Sequence, residues 1–160
     1  MTQPADDKTV AERSADRMYA DDRASQAAGI TVHDVAPGRA TARMAVIETM
    51  INGHDIAHGG YVFMLADTAF AFACNTYGTP TVAQACDIVF VRPARLGEEL
   101  VAAAHERARF GRSGIYDVTV TAGGELVAEF RGRSRMLRGN DPRAGPRCRP
   151  EVVEGSTIPP

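Results

Sequence analysis

The hydrophobic residues of this chain crowd into one stretch and alternate with polar ones elsewhere. From His58 to Gly78 (HGGYVFMLADTAFAFACNTYG) nearly every position is apolar or small, and Gly78 and Pro80 close the run. It is long enough for about five helical turns, and a helix apolar on every side belongs in a core. Gly60, Ala66, Ala69, Ala71 and Ala73 would let a sheet approach that helix closely. Beyond Pro80 the pattern changes. Val82–Val91, Glu99–Phe110, Ile115–Thr121 and Glu125–Leu137 read as strands; in the third, Tyr116, Val118 and Val120 alternate with Asp117, Thr119 and Thr121. Turn chemistry at 111–114 and at 122–124 separates the last three.

Upstream, Val10–Ala28 is rich in Ala, Arg, Asp and Glu and is followed by Gly29, which predicts a surface helix with Met18 on its apolar side. Ile30–Ile47 predicts two short strands around Pro37-Gly38, and Asn52–Ala57 a loop. Residues 1–9 are expected to be a disordered leader, 10–137 a single domain, and the Pro-, Gly- and Arg-rich segment 138–160 a disordered tail. The predicted class is α+β: a mostly antiparallel sheet wrapped around one long helix. A single layer of sheet leaves its outer face open, so a partner chain is expected.

Composition narrows the possibilities. A chain of 160 residues suits one compact domain that needs no disulfide or metal to fold. The net charge of −2 gives no basic excess for nucleic acid or an acidic membrane surface. Cys74, Cys86 and Cys148 are widely spaced and contain no CxxC, which points to neither a disulfide framework nor a zinc site and fits a reduced cytosol. The polar, acidic N-terminus does not resemble a signal peptide. Thr68–Cys86 is uncharged, but Asn75, Gly78, Pro80 and Gln84 interrupt it, so it is a poor membrane span.

Two features of the core helix could carry chemistry. Asp67 is the only charged residue between Gly59 and Cys86, and a carboxylate there is costly unless hydrogen-bonded, paired or used. His58-Gly59-Gly60 opens the helix with two poor helix formers, leaving bare N–H groups at the positive end of the helix dipole, where a phosphate or a carbonyl oxygen gaining charge would be held. Each also has a purely structural reading. Asp67 lies nine residues past His58, ~13 Å along the axis and about 180° around it, so the two cannot serve one substrate within one chain. Two antiparallel copies of the helix could bring Asp67 of one chain to Gly59 of the other, giving two equivalent sites per dimer. His54 and His58 have HxxxH spacing, but Asn52-Gly53 and Gly59-Gly60 flank them and no third ligand stands out, so no metal is expected. Arg112-Ser113 at a hairpin tip, after Arg107 and Arg109, could hold phosphates or be a solvated turn; Cys74 reads as a packed core thiol.

Asn52-Gly53-His54, His58-Gly59-Gly60, Leu65-Ala66-Asp67-Thr68-Ala69-Phe70-Ala71, Ala73-Cys74-Asn75, Gly114-Ile115-Tyr116-Asp117-Val118 and Phe130-Arg131-Gly132-Arg133-Ser134 together resemble the PaaI thioesterases of phenylacetate degradation, a branch of the hotdog thioesterase superfamily. The resemblance runs from about Arg17 to Leu137. It implies a hotdog fold, a homodimer with a continuous sheet that assembles into a homotetramer, and hydrolysis of acyl-CoA thioesters bearing aryl-acetyl groups. It implies no cofactor, coenzyme A being part of the substrate. By motif match, Asp67 is the catalytic carboxylate, Gly59 supplies an N–H to the thioester oxygen, and Asn52 and His58 lie near the reacting centre. From the helix-start and hairpin-tip readings above, Gly60, Arg112 and Ser113 are expected to contact substrate. Asp67 could act as general base or as nucleophile. Phe70, Phe72 and Tyr61 are candidates for the acyl pocket, or plain core. A non-catalytic acyl-CoA-binding protein and a hotdog hydratase are the alternative readings; a metal hydrolase using His54 and His58 is more remote.

Overall fold

The computed structural model describes residues 8–138. The expected leader and tail lie outside the described residues apart from Lys8, Thr9 and Arg138. The elements run α1 (Val10–Asp21), α2 (Arg23–Ala27), β1 (Thr31–Ala36), β2 (Arg39–Ala45), a 3-10 turn (Glu48–Met50), α3 (Gly59–Cys74), β3 (Thr81–Phe90), β4 (Glu99–Phe110), β5 (Ser113–Ala122) and β6 (Glu125–Met136). The six strands form one sheet in the order β1-β2-β4-β5-β6-β3, with every pair antiparallel. This is the hotdog arrangement, the sheet curling around α3.

The single helix expected at Val10–Ala28 is two. Asp22 adopts a non-helical conformation, and its carboxylate accepts the N–H of Ser25 at 2.9 Å, ending one helix and capping the next. A Thr9–Glu12 capping box starts α1. The core helix, expected over His58–Gly78, begins one residue later at Gly59 with His58 as its cap and ends at Cys74.

The burial of α3 follows from its sequence. Leu65, Ala66, Ala69, Phe70, Phe72 and Ala73 are all buried, and the alternating inward residues of β2, β4, β5 and β6 pack on them. Phe70 nests between Tyr116 and Phe130, with ring centroids 5.5 and 5.8 Å away. Gly132 makes that approach possible: a Cβ there would lie 2.8 Å from the Phe70 ring, closer than real Cβ atoms come.

The outer face of the sheet carries polar side chains paired across strands. Arg131 makes a two-pronged bond to Asp117 at 2.6 and 2.9 Å, Arg107 reaches the same carboxylate at 3.4 Å, and Thr119 donates to Glu129. Such cross-strand polar pairs let a sheet face water. Apolar side chains are exposed along the edge strand β3, where Val82, Val89 and Phe90 are 45%, 63% and 52% exposed. No helix among the described residues is long and apolar enough to cross a membrane.

Candidate active site

The start of α3 is assembled from a loop that uses nearly all of its own polar groups. The His58 N–H donates to the Met50 carbonyl (2.8 Å) and the Ala57 N–H to the Ala94 carbonyl (2.8 Å), tying the loop to its neighbours. The His58 ring caps the helix: its Nδ1 accepts the Gly60 N–H at 2.9 Å, while the His58 carbonyl accepts the Tyr61 N–H. With Nδ1 an acceptor, the neutral ring carries its proton on Nε2. Of the two glycines expected to present bare N–H groups, Gly60 is thus occupied internally. Gly59 donates to no protein acceptor among the described residues. It is one open donor at the positive end of a helix of 16 residues.

Asn52 supplies a second open donor. Its Oδ1 accepts the His54 N–H at 2.9 Å and its own N–H donates to the Ile56 carbonyl. The first bond identifies the side-chain oxygen, so Nδ2 is the free end, with no acceptor among the described residues. Asn52 and Gly59 share the wall of one cleft of about 360 Å³ with Ile56, Val62, Phe90 and Pro93. The Phe90 ring rests on Gly59; a Cβ at position 59 would lie 3.0 Å from its Cζ. Glycine here both keeps the N–H reachable and makes room for that ring.

Asp67 is not part of this cleft. It stands two turns further along α3, half-buried, with Cys86 of β3 as its one side-chain hydrogen-bond partner among the described residues (Sγ to Oδ1, 3.9 Å). Burial pushes the carboxyl above its usual range, and the thiol opposes this weakly. Cys86 is itself pushed up to about 11 by burial and by Asp67, so it stays a protonated donor. From Gly59, Asp67 is displaced mainly along the axis, ~12 Å, and about a quarter-turn around it.

The remaining predicted residues lie at the other end of α3. Arg112 and Ser113 sit in the β4–β5 hairpin and share a shallow recess with Cys74 and Tyr77. Ser113 Oγ accepts from Arg135 (3.2 Å), and the charges of Arg135 and Arg138 hold the Arg112 guanidinium below its ordinary pKa. No carboxylate pairs with these three arginines among the described residues. The structure therefore brings Asn52, His58, Gly59 and Gly60 together and leaves Asp67, and Arg112 with Ser113, apart from them in one chain. Phe70 and Phe72 are buried and do not line the Asn52–Gly59 cleft. Phe90 is the aromatic of the cleft, which the residue pattern did not single out. No three His, Cys, Asp or Glu side chains converge among the described residues. A larger cleft of about 670 Å³ between α1 and β1 is lined by Phe72 but by none of Asn52, His58, Gly59, Gly60, Asp67, Arg112 or Ser113.

An open backbone donor at a helix start can hold a carbonyl oxygen gaining charge, and a desolvated carboxylate can act as a base or nucleophile. Residues 54–129 match the family described as the thioesterase superfamily. The chain is 42% identical over 128 residues to acyl-coenzyme A thioesterase PaaI of Escherichia coli (strain K12), covering 79% of this chain and 91% of that one. The E. coli PaaI structure, from the phenylacetic acid degradation operon, superposes with a TM-score of 0.80 at 41% identity, covering 81% of this chain and 95% of that one. Human acyl-coenzyme A thioesterase 13 is 34% identical over 107 residues, 64% of this chain and 76% of its own. The chain belongs to the hotdog thioesterase superfamily and is a thioester hydrolase.

Proposed function

We propose that the chain is an acyl-CoA thioesterase that hydrolyses aryl-acetyl-CoA, phenylacetyl-CoA and its ring-hydroxylated forms above all, to the free acid and CoA, at sites shared between two subunits. The observation that carries this reading is the separation of the two halves of the machinery. The open Gly59 N–H lies in the cleft, and the one carboxylate in the apolar helix lies ~12 Å away on another part of it.

A dimer built through β3 joins them. That ten-residue edge strand presents unpaired backbone groups and exposed Val82 and Val89, and beside it α3 carries a partly exposed stripe of Gly60, Met64, Asp67 and Ala71. Two-fold pairing there sets the two α3 helices antiparallel, so Asp67 faces the partner's Gly59. The C-terminal end of each α3 then lies toward the partner's cleft, which places the Arg112, Ser113 and Arg135 cluster to receive the phosphates of coenzyme A. Two such dimers make the tetramer.

In the reaction, the thioester carbonyl accepts the Gly59 N–H, with Asn52 Nδ2 as a second donor. Asp67 then takes a proton from water as the water attacks, or attacks directly to form a mixed anhydride that water cleaves. Either way, the C–S bond breaks, a C–O bond forms, and coenzyme A leaves as its thiol, its sulfur taking the proton held by Asp67 in the first route and one from water in the second. A carboxylate whose pKa is raised by burial is a stronger base for this purpose. A panel of aryl- and alkyl-CoA esters assayed for released thiol tests the proposal. Highest kcat/KM for phenylacetyl-CoA supports it, whereas turnover of alkyl esters only, or of none, overturns it.

A further inference from the structure

We infer that Phe90 is the residue that reads the acyl group, its ring face or edge meeting an aromatic ring of the substrate. This inference rests on the aryl-acetyl reading above. Phe90 occupies the last position of β3 and is 52% exposed, yet its ring is seated on Gly59, the residue whose N–H faces the substrate carbonyl. A group attached to that carbonyl therefore begins within contact range of the ring. The rest of the cleft wall decides which side of the thioester enters it. Pantetheine carries two amides and needs partners for them; the free Asn52 Nδ2 is used by the thioester carbonyl in the reading above, and Ile56, Val62 and Pro93 offer none. Arg92, the charged residue of the wall, donates from Nη1 and Nη2 to Glu98 and to the carbonyls of Pro93 and Ala122, and its buried Nε, which makes no hydrogen bond among the described residues, is ion-paired with Glu125 at 3.4 Å. The cleft suits an apolar acyl group, and Phe90 is its one aromatic surface.

Phenylacetyl-CoA and cyclohexylacetyl-CoA separate the π interaction from size, since the two rings have similar bulk and only one has a π face. Aromatic pairs contribute about 0.5–1.5 kcal/mol beyond area burial. In Phe90→Leu the ratio of kcat/KM for phenylacetyl-CoA to that for cyclohexylacetyl-CoA is expected to fall roughly two- to tenfold. Phe90→Tyr keeps the ring and should hold the ratio within about twofold of wild type. Phe90→Met repeats the Leu measurement if Leu at this edge position disturbs assembly. An unchanged ratio in both non-aromatic variants overturns the inference, and so does equal loss for the two substrates. If wild type releases thiol from butanoyl-CoA but from neither ring substrate, the aryl-acetyl reading fails and the inference with it. If wild type favours phenylacetyl-CoA and the ratio still does not move, the reading stands and the role of Phe90 falls.

Discussion

The two ends of α3 treat their polar groups in opposite ways. At the C-terminal end almost everything is satisfied. Asn75 donates from Nδ2 to the carbonyls of Ala71 (2.9 Å) and Thr81 (2.8 Å), and accepts the Thr81 N–H (2.9 Å) on Oδ1. Thr76 donates to the Ala73 carbonyl and accepts the Gly38 N–H, both at 2.8 Å, and Ser14 reaches the Asn75 carbonyl. At the N-terminal end His58 satisfies Gly60 but leaves Gly59 open, beside a free Asn52 amide and a cleft. A folded chain that buries polar groups pairs them, because an unpaired one costs about 1–3 kcal/mol. Where one helix shows both behaviours, the satisfied end holds the fold together and the open end waits for a ligand.

The sharpest way to break this contrast is a pair of substitutions. Asp67→Asn removes charge and basicity in a nearly isosteric change. Thioester hydrolysis is expected to fall by about two orders of magnitude or more, with the circular dichroism spectrum and assembly unchanged. Asn75→Ala does the reverse. Three short-range bonds are lost in a buried position, so unfolding free energy drops by about 2–4 kcal/mol, while turnover per folded molecule stays near wild type. Denaturant titration alongside the thiol-release assay reads both quantities. An Asp67 variant that hydrolyses normally, or an Asn75 variant that keeps its stability, would remove the distinction between the ends.

A mixed-subunit experiment sharpens the comparison by asking whose open end meets whose carboxylate. Gly59→Pro deletes the N–H, and proline is well tolerated at the first helical position, although its ring must displace Phe90, which a Cβ there would meet at 3.0 Å. Alone, it and Asp67→Asn should each be nearly inactive. In a dimer of one of each, one site carries both defects and the other none. With equal amounts and random assembly, half of the dimers are mixed and each has one intact site of two, so activity recovers to about one quarter of wild type. No recovery after confirmed assembly and subunit exchange would return both halves of the site to one chain.

Much of this was legible in the residue pattern, for local reasons. The six strands followed from alternation and turn residues, and Asp67 stood out because no other charge interrupts the core helix. Gly59 was visible because two glycines at a helix start are unfavourable unless they serve something. What the pattern could not give depends on tertiary placement. Phe70 and Phe90 are the same residue type in apolar runs, and only the close approach at Gly132 and the edge position of β3 make one core and the other cleft wall. The cap bond that occupies Gly60 needs the actual turn of His58. The break at Asp22 was within reach, since an Asp three residues before a Ser can cap a new turn, but helix-forming residues on both sides masked it.

The smallest effect concerns what Asp67 does to stability. Burial raises its pKa in the folded chain above the ordinary unfolded value of about 3.9. Between those two values the folded state binds more protons than the unfolded one, so unfolding free energy falls as pH rises through that window. Above the folded pKa the full penalty of holding a desolvated carboxylate is present; below the unfolded value both states are protonated and it is gone. Asp67→Asn carries no such penalty at any pH. The variant should therefore be slightly more stable than wild type at neutral pH, and the gap should close as pH is lowered through the raised pKa toward about 4. Paired thermal melts across that range measure the gap directly. A wild type more stable than the variant at pH 7 would mean that the folded carboxylate is favoured rather than penalised. Asp67 would then be a structural anchor like Asn75, and the two ends of the helix would no longer differ in kind.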